Sequence, residues 1–368
     1  MLLINASNLY VGGGMQVGIS VINELAADKA HFIAAVSRPV YIQLSDEAKK
    51  KALLLEKTPS GLLNFSTRKS LDNIVHSYDI DIVFTIFGPS YWTPKVKKHL
   101  VGFALPWLIY DTGQIYSKLS LKEKIKKQLL RFLQPYFFKK NADMLVTETS
   151  DVTSKVITLM QYNPKDVYTV SNTISEVFKV PSLHDENILK KLPVKQEGDI
   201  WLLTISHNYP HKNLNCIKEL VKTLPANFKF ITTLEKKFLN DIPDELQDRI
   251  ITLGSVSISE CPPLYKVSDA MFLPTLLECF SASYAEALYM ETTILTSERS
   301  FARTICQDAA FYFDPLDNSS IATTILSAFD DDKRREEKIV LGKHYSMTIP
   351  DARQRAKKYM SILYGNKN

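Results

Sequence analysis

The chain has 368 residues, and 45 Lys+Arg against 40 Asp+Glu leave a formal charge of +5. Apolar residues at 45% and charged residues at 23% exclude wholesale disorder, and the length reads as two domains. So mild a charge argues against nucleic acid as a partner. Glycine is scarce: 12 residues, about 3% against an average of ~7%. Gly12, Gly13, Gly14, Gly18 and Gly254 nevertheless fall in stretches expected to face ligand. Four scattered cysteines (Cys216, Cys261, Cys279, Cys306) form no Cys-x-x-Cys pair and read as reduced cytoplasmic thiols. The chain enters Leu2-Leu3-Ile4 at once, so no signal peptide is expected. Its longest apolar run, Leu100 to Tyr110, is too short to cross a bilayer and contains Pro106.

In chain order, 2–5 reads as a strand and 15–27 as a helix with Val17, Val21, Ile22 and Leu25 on one face. Strands are expected at 32–36, 82–86, 100–105 and 144–147. Between 181 and 199 the chain is charged and lacks a core face, which predicts a linker. Strands then resume at 201–205, 228–232, 250–253, 270–273, 294–296 and 310–313, with helices at 213–223 and 318–329. Such alternation predicts α/β architecture with parallel sheets: domains at 1–180 and 200–349, and a helix at 350–368 packing back on the first domain. Ligand is expected between the domains, at the carboxyl ends of the strands.

Three stretches carry the chemistry. Asn8-Leu-Tyr-Val-Gly-Gly-Gly-Met-Gln-Val-Gly18 is a glycine loop before a helix, suited to close backbone approach and to an anion. Its glycines start too far beyond the strand for a dinucleotide fingerprint. In Leu203-Thr-Ile-Ser-His-Asn-Tyr-Pro-His-Lys-Asn-Leu214, Lys212 is expected at a helix start, where it opposes the macrodipole unless a diphosphate is bound. His207 and His211 either contact substrate or are ordinary exposed loop histidines. The third stretch, Phe272-Leu-Pro-Thr-Leu-Leu-Glu-Cys-Phe-Ser-Ala-Ser-Tyr-Ala-Glu-Ala-Leu288, places Glu278 in a loop and Glu286 in the first turns of a helix beginning near Ser281 or Ser283. Ser283-Tyr-Ala-Glu286 also spells a capping box, which explains Glu286 and leaves Glu278 unexplained.

The third stretch resembles the glutamate–seven residues–glutamate motif of retaining family 4 glycosyltransferases (glycosyl transferases group 1), which have the GT-B fold. The likeness continues through 294–317, Pro210–Leu214, Leu253-Gly254-Ser255 and 168–173; in the first domain it covers the glycine loop and 142–150. The resemblance implies two Rossmann-like domains facing across a cleft. The first would be the acceptor side; the second would bind a nucleotide sugar. It implies that Lys212 binds the donor diphosphate, Glu286 the ribose, and that Glu278 lies beside the transferred sugar. Backbone at Phe280, Ser281, Ala282 and Ser283 would face phosphates and sugar, Gly254 would border the base, and Gly13 and Gly14 would lie under the phosphates or sugar. The sequence departs from the family at four places: Glu291-Thr292 replaces Gly-Pro, no histidine matches around Leu105–Asp111, and two loops differ. Ser206, His207 and Asn208 stand where many members carry an arginine, and Cys279-Phe280-Ser281 replaces Gly-Phe-Gly.

The expected activity is transfer of a sugar from a UDP- or GDP-sugar to a hydroxyl of a glycan or lipid-linked acceptor in bacterial surface polysaccharide synthesis, retaining, with no metal and no cofactor. Alternatives are a GT-B-fold sugar-nucleotide epimerase, a non-catalytic sugar-nucleotide binder, and an NADP-dependent oxidoreductase using Gly12–Gly18 with Arg38. Asp79-Ile-Asp81 spells a metal-binding string but precedes an apolar strand, as boundary acids do. In Ser117–Lys140, Leu121, Ile125, Leu129, Phe132, Leu133 and Tyr136 form one helical face among lysines. That suits either peripheral contact with the inner face of the cytoplasmic membrane or ordinary packing on its own domain.

Overall fold

The computed structural model describes residues 1–61, 64–113, 115 and 119–365; Ser117, where the basic stretch is expected to begin, and residues 366–368 lie outside them. The described chain divides into two compact units, one holding Met1–Thr112, Ser120–Thr173 and the segment from Pro350, the other built on Ile174–Ile349. The division falls between Thr173 and Ile174, ahead of the expected linker. Within 181–199, Pro181–Leu183 and Glu186–Lys191 form 3-10 turns, and Ile188 is fully buried. One apolar anchor among charged neighbours is enough to dock such a segment, and it leaves no periodic signal.

The first unit has strands β1 (Leu2–Ala6), β2 (Phe32–Val36), β3 (Ala52–Leu54), β4 (Ile82–Thr85), β5 (Lys98–Gly102), β6 (Met144–Thr147) and β7 (Val167–Thr169). They form a parallel sheet in the order β3-β2-β1-β4-β5-β6-β7. In the second unit β8 (Ile200–Thr204), β9 (Phe228–Thr232), β10 (Ile250–Thr252), β11 (Ala270–Leu273), β12 (Thr293–Ser297) and β13 (Ala310–Phe313) form another, in the order β10-β9-β8-β11-β12-β13. Both are doubly wound: the order turns back between β1 and β4 in one sheet and between β8 and β11 in the other. Loops leaving the carboxyl ends of such neighbours diverge and open a ligand-sized crevice.

Helix Gly12–Ala27 buries Val17, Val21, Ile22 and Leu25 in the first core with Leu2, Ile4 and Val36. Each such side chain contributes roughly 1.5–3 kcal/mol of transfer free energy. The helix starts at Gly12, three residues before Met15, because glycines carry no side chain for a periodic pattern to register. Gly18 is not a ligand-facing glycine: it lies inside this helix, where a Cβ would stand 2.7 Å from Leu9 Cδ1. The last helix, Ala352–Tyr364, places Ala356, Tyr359 and Leu363 in the same core, with the Tyr359 ring 4.8 Å from that of Phe84.

Candidate active site

The site grows from the β8/β11 reversal. After β8 the chain runs through Ser206, His207 and Asn208 into the 3-10 turn Pro210–Lys212, and Asn213 closes the turn in the left-handed region (φ 55). Asparagine tolerates that conformation, and its side-chain amide donates to the Pro315 carbonyl at 2.7 Å. The following helix begins only at Cys216, so Lys212 does not oppose a helix dipole as expected. A carboxylate holds it instead: Lys212 Nζ donates to Glu278 Oε1, both side chains being largely buried. Thr275 Oγ1 donates to the same oxygen at 3.1 Å, and the β11 loop is tied to the Lys212 turn through Leu276 N and the His211 carbonyl (2.7 Å).

Beyond Glu278 the backbone turns through Phe280 and Ser281 into helix Ala282–Tyr289. No side chain caps its start, and its first turn carries no acid. Its leading N–H groups therefore lack a side-chain cap and carry the positive end of the dipole, an arrangement that favours an anion. The helix is fixed from behind, where Tyr284 Oη lies 2.8 Å from Thr296 Oγ1, which donates to the Leu273 carbonyl at 3.0 Å. The capping-box reading of Ser283 and Glu286 fails. Glu286 lies mid-helix and buried, and its Oε2 accepts from Tyr265 Oη at 3.0 Å. Burial pushes its carboxyl up to about 7, and the Tyr265 hydroxyl partly offsets that rise.

Ser206 is held by a pair of bonds to Thr233, its N–H donating to Thr233 Oγ1 at 3.0 Å. His207 and Asn208 are exposed, and the His211 ring stacks on Tyr209. Gly254 follows β10 with φ +71, a conformation that favours glycine. Lys212 and Glu278 are thus brought into contact, while Glu286 stands with Tyr265 and Ser283. Sequence reasoning missed Tyr265, which lies 21 residues before its partner on another helix, and Thr275, whose place three residues before Glu278 was the available signal.

Gly13 and Gly14 belong to the first unit, in the opening turn of its first helix beside the β1/β4 reversal. Gly12 takes φ +74, a Cβ on Gly14 would stand 3.2 Å from the Phe87 ring, and one on Gly13 would meet nothing within 4 Å. This helix start also lacks a side-chain cap and an acidic first turn. Arg38, needed by the oxidoreductase alternative, pairs with Glu56 at 2.6 Å. Asp81 pairs with the N-terminal amine (2.9 Å) and Lys97 (2.7 Å) at the amino end of β4, away from the carboxyl ends where ligands bind. No group of three or more His, Cys, Asp or Glu suited to a metal occurs among the described residues.

The two doubly wound sheets have the architecture of GT-B glycosyltransferases. Aligned over all of both chains, the structure of WaaG, a glycosyltransferase involved in lipopolysaccharide biosynthesis, gives a TM-score of 0.72 at 14% identity. The Anabaena protein Alr3699/HepE in complex with UDP gives 0.72 at 11% identity, over 99% of this chain and 100% of the other. Residues 185–343 match the family described as glycosyl transferases group 1, which the chain resembles. The O-antigen chain mannosyltransferase RfbU of Salmonella typhimurium is 24% identical over 169 residues, 43% of this chain and 48% of that protein. The chain thus matches about half the length of this curated relative.

Proposed function

We propose that the protein is a retaining, metal-independent glycosyltransferase. It moves a sugar from a UDP- or GDP-sugar to a hydroxyl of a glycan or lipid-linked acceptor, at the inner face of the cytoplasmic membrane, in bacterial surface polysaccharide synthesis. The observation that carries this reading is the meeting at one strand reversal of Lys212, Glu278 and an uncapped helix start, with Glu286 one turn further on. The HepE complex with UDP and the relatives' roles in lipopolysaccharide and O-antigen synthesis support it.

In this reading the bond between the sugar's anomeric carbon and the diphosphate breaks, and the acceptor oxygen forms the new one. The leaving diphosphate gathers negative charge. Lys212 and the N–H groups at Ala282 and Ser283 would stabilise that charge. Glu286 accepts from the ribose hydroxyls, and Gly254 leaves room for the base. Phe280 and Ser281 border the sugar, as do Ser206, His207 and Asn208 on the neighbouring loop. Gly13 and Gly14 supply backbone to the phosphates or sugar. A retaining mechanism with a carboxylate nucleophile would need an available oxygen on Glu278. Lys212 and Thr275 hold its Oε1; the family likeness is what favours front-side attack, the acceptor's proton passing to a donor phosphate oxygen.

Nucleotide release from UDP- and GDP-sugars, with and without glycan and lipid-linked acceptors, tests this. Acceptor-dependent release that is lost in Lys212→Ala and weakened in Glu286→Gln is expected. Conversion of the sugar nucleotide without acceptor would make the protein an epimerase, and binding without turnover a non-catalytic binder.

A further inference from the structure

The first sheet has a second polar pocket at its edge. Strand β3 is the edge strand, and β2 stands between it and β1. Beyond Leu54 the chain runs through Leu55, Glu56 and Lys57 and later enters helix Phe65–Ser77, which leads back to β4. A cavity of about 220 Å³ lies at the carboxyl end of β3, lined by residues 54–57 and by Ser66, Thr67 and Ser70 of the helix.

The chain itself fastens the loop to the helix. Arg68 Nε donates to the Pro59 carbonyl at 3.0 Å, and its Nη2 to that of Gly61 at 3.2 Å. Asn64 stands at the cap position, but its amide donates to the Thr58 carbonyl at 2.7 Å and no side chain caps the helix. Its first turn holds no acid, so the positive end of the dipole is left without an opposing charge there.

Thr67 is the second sign of a ligand. It is only 6% exposed and lines the cavity, yet its hydroxyl has no hydrogen-bond partner among the described residues. A buried hydroxyl in that state destabilises the fold unless something from outside the chain bonds it. Charge narrows the class. Lys57 is exposed and makes no ion pair among the described residues. Glu56, the acid in the wall, is held by Arg38, whose Nη2 lies 2.6 Å from Oε1. Arg38 is thus engaged by a carboxylate and Arg68 by carbonyls, which leaves the lysine. A lysine is a point charge without the planar fork that matches a carboxylate, so it suits phosphate better.

We infer that this pocket binds a phosphoryl group, carried by a small phosphate ester or as the free ion. Thr67 and Ser66 donate their hydroxyls to its oxygens, and Lys57 and the helix start meet its charge. Arg38 keeps Glu56 from repelling it, and half-buried Leu54 and Leu55 flank whatever carries it. The inference goes beyond the proposed transfer reaction, whose diphosphate is assigned to Lys212 in the second unit.

Titration calorimetry of the full chain with inorganic phosphate, glucose 6-phosphate and glucose tests it. Binding of both phosphates and not of glucose is expected, and it should survive Lys212→Ala, which separates this pocket from the donor site. Thr67→Val should weaken it at least ~10-fold by removing a hydrogen bond to a charged group, and Thr67→Ser should restore it. Lys57→Gln should weaken it too, as should Arg38→Gln by uncovering Glu56. Without ligand, Thr67→Val should melt at a higher temperature than the parent, since a methyl replaces an unpartnered hydroxyl. Tighter binding of glucose 6-phosphate than of phosphate would identify an ester as the ligand, and equal binding the free ion. No phosphate binding would overturn the inference, as would glucose binding equal to that of its phosphate. Binding lost in Lys212→Ala, or unchanged in both Thr67→Val and Lys57→Gln, would overturn it as well. So would a ligand-free Thr67→Val that melts lower, because the hydroxyl would then be serving the fold.

Discussion

At the β8/β11 reversal the second unit has placed charge: a lysine paired with a carboxylate, and one turn on a glutamate buried to the point that its own ionisation is opposed. At the β1/β4 reversal the first unit has placed space: three successive glycines at a helix start, of which Gly12, in the left-handed region, and Gly13 have nothing within 4 Å of where a side chain would stand. Both helix starts are uncapped. Shared architecture thus makes both reversals receptive to an anion, while the side chains divide the labour. In the proposed mechanism one grips and polarises, and the other lets backbone come close.

The strongest challenge to this division is Lys212→Ala. Removing the principal charge on a leaving diphosphate should lower turnover roughly 10²–10³-fold, measured as nucleotide release, and Lys212→Arg should recover only part, because the turn is sized to an ammonium at Glu278. Turnover unchanged in Lys212→Ala would show that the charged reversal is structural.

Glu286 gives the next largest effect, in the pH dependence. Donor binding through its carboxylate should tighten about tenfold from one pH unit below its value of about 7 to one unit above, read by titration calorimetry with UDP or GDP. Glu286→Gln should flatten this profile and weaken binding about 10-fold, the worth of a charged hydrogen bond. Stability runs the other way. The folded carboxyl holds its proton more tightly than the unfolded one, so its contribution is full below the ordinary carboxylate value of 4.5 and is lost as pH rises through about 7. Glu286→Gln should therefore unfold at higher denaturant than the parent above pH 7, with the gap closing in acid.

Gly13→Ala is the smallest and most discriminating change. The added methyl meets no atom and removes backbone freedom from a helical position, so stability should rise by about 0.5–1 kcal/mol in thermal unfolding. If that space receives a ligand, turnover should fall while stability rises. A stabilised variant with full turnover would make the glycine turn a helix start and nothing more.

Much of this could be read from the chain, and what could not has physical causes. The central strands are buried on both faces and announce themselves as apolar runs. The end strands β3 and β7 are three residues long and mostly half-buried, too short and too mixed for a pattern. Glu278, Glu286 and Lys212 were legible as residues because their spacing matches a known motif, but their partners were not. Glu278 takes its bond from a lysine 66 residues away, and Glu286 from a tyrosine on a separate helix.

By itself the sequence determined the alternation that makes two parallel sheets, the identity of the charged residues at one reversal and the glycines at the other. These depend on local spacing and side-chain type. Only the tertiary structure decided that Lys212 leaves the helix dipole for a carboxylate, that Glu286 is a buried acid and not a cap, and that the apolar stripe of helix Leu121–Asn141 turns to solvent. Periodicity reports that a helix has an apolar face; whether anything covers that face is settled by how the rest of the chain packs around it.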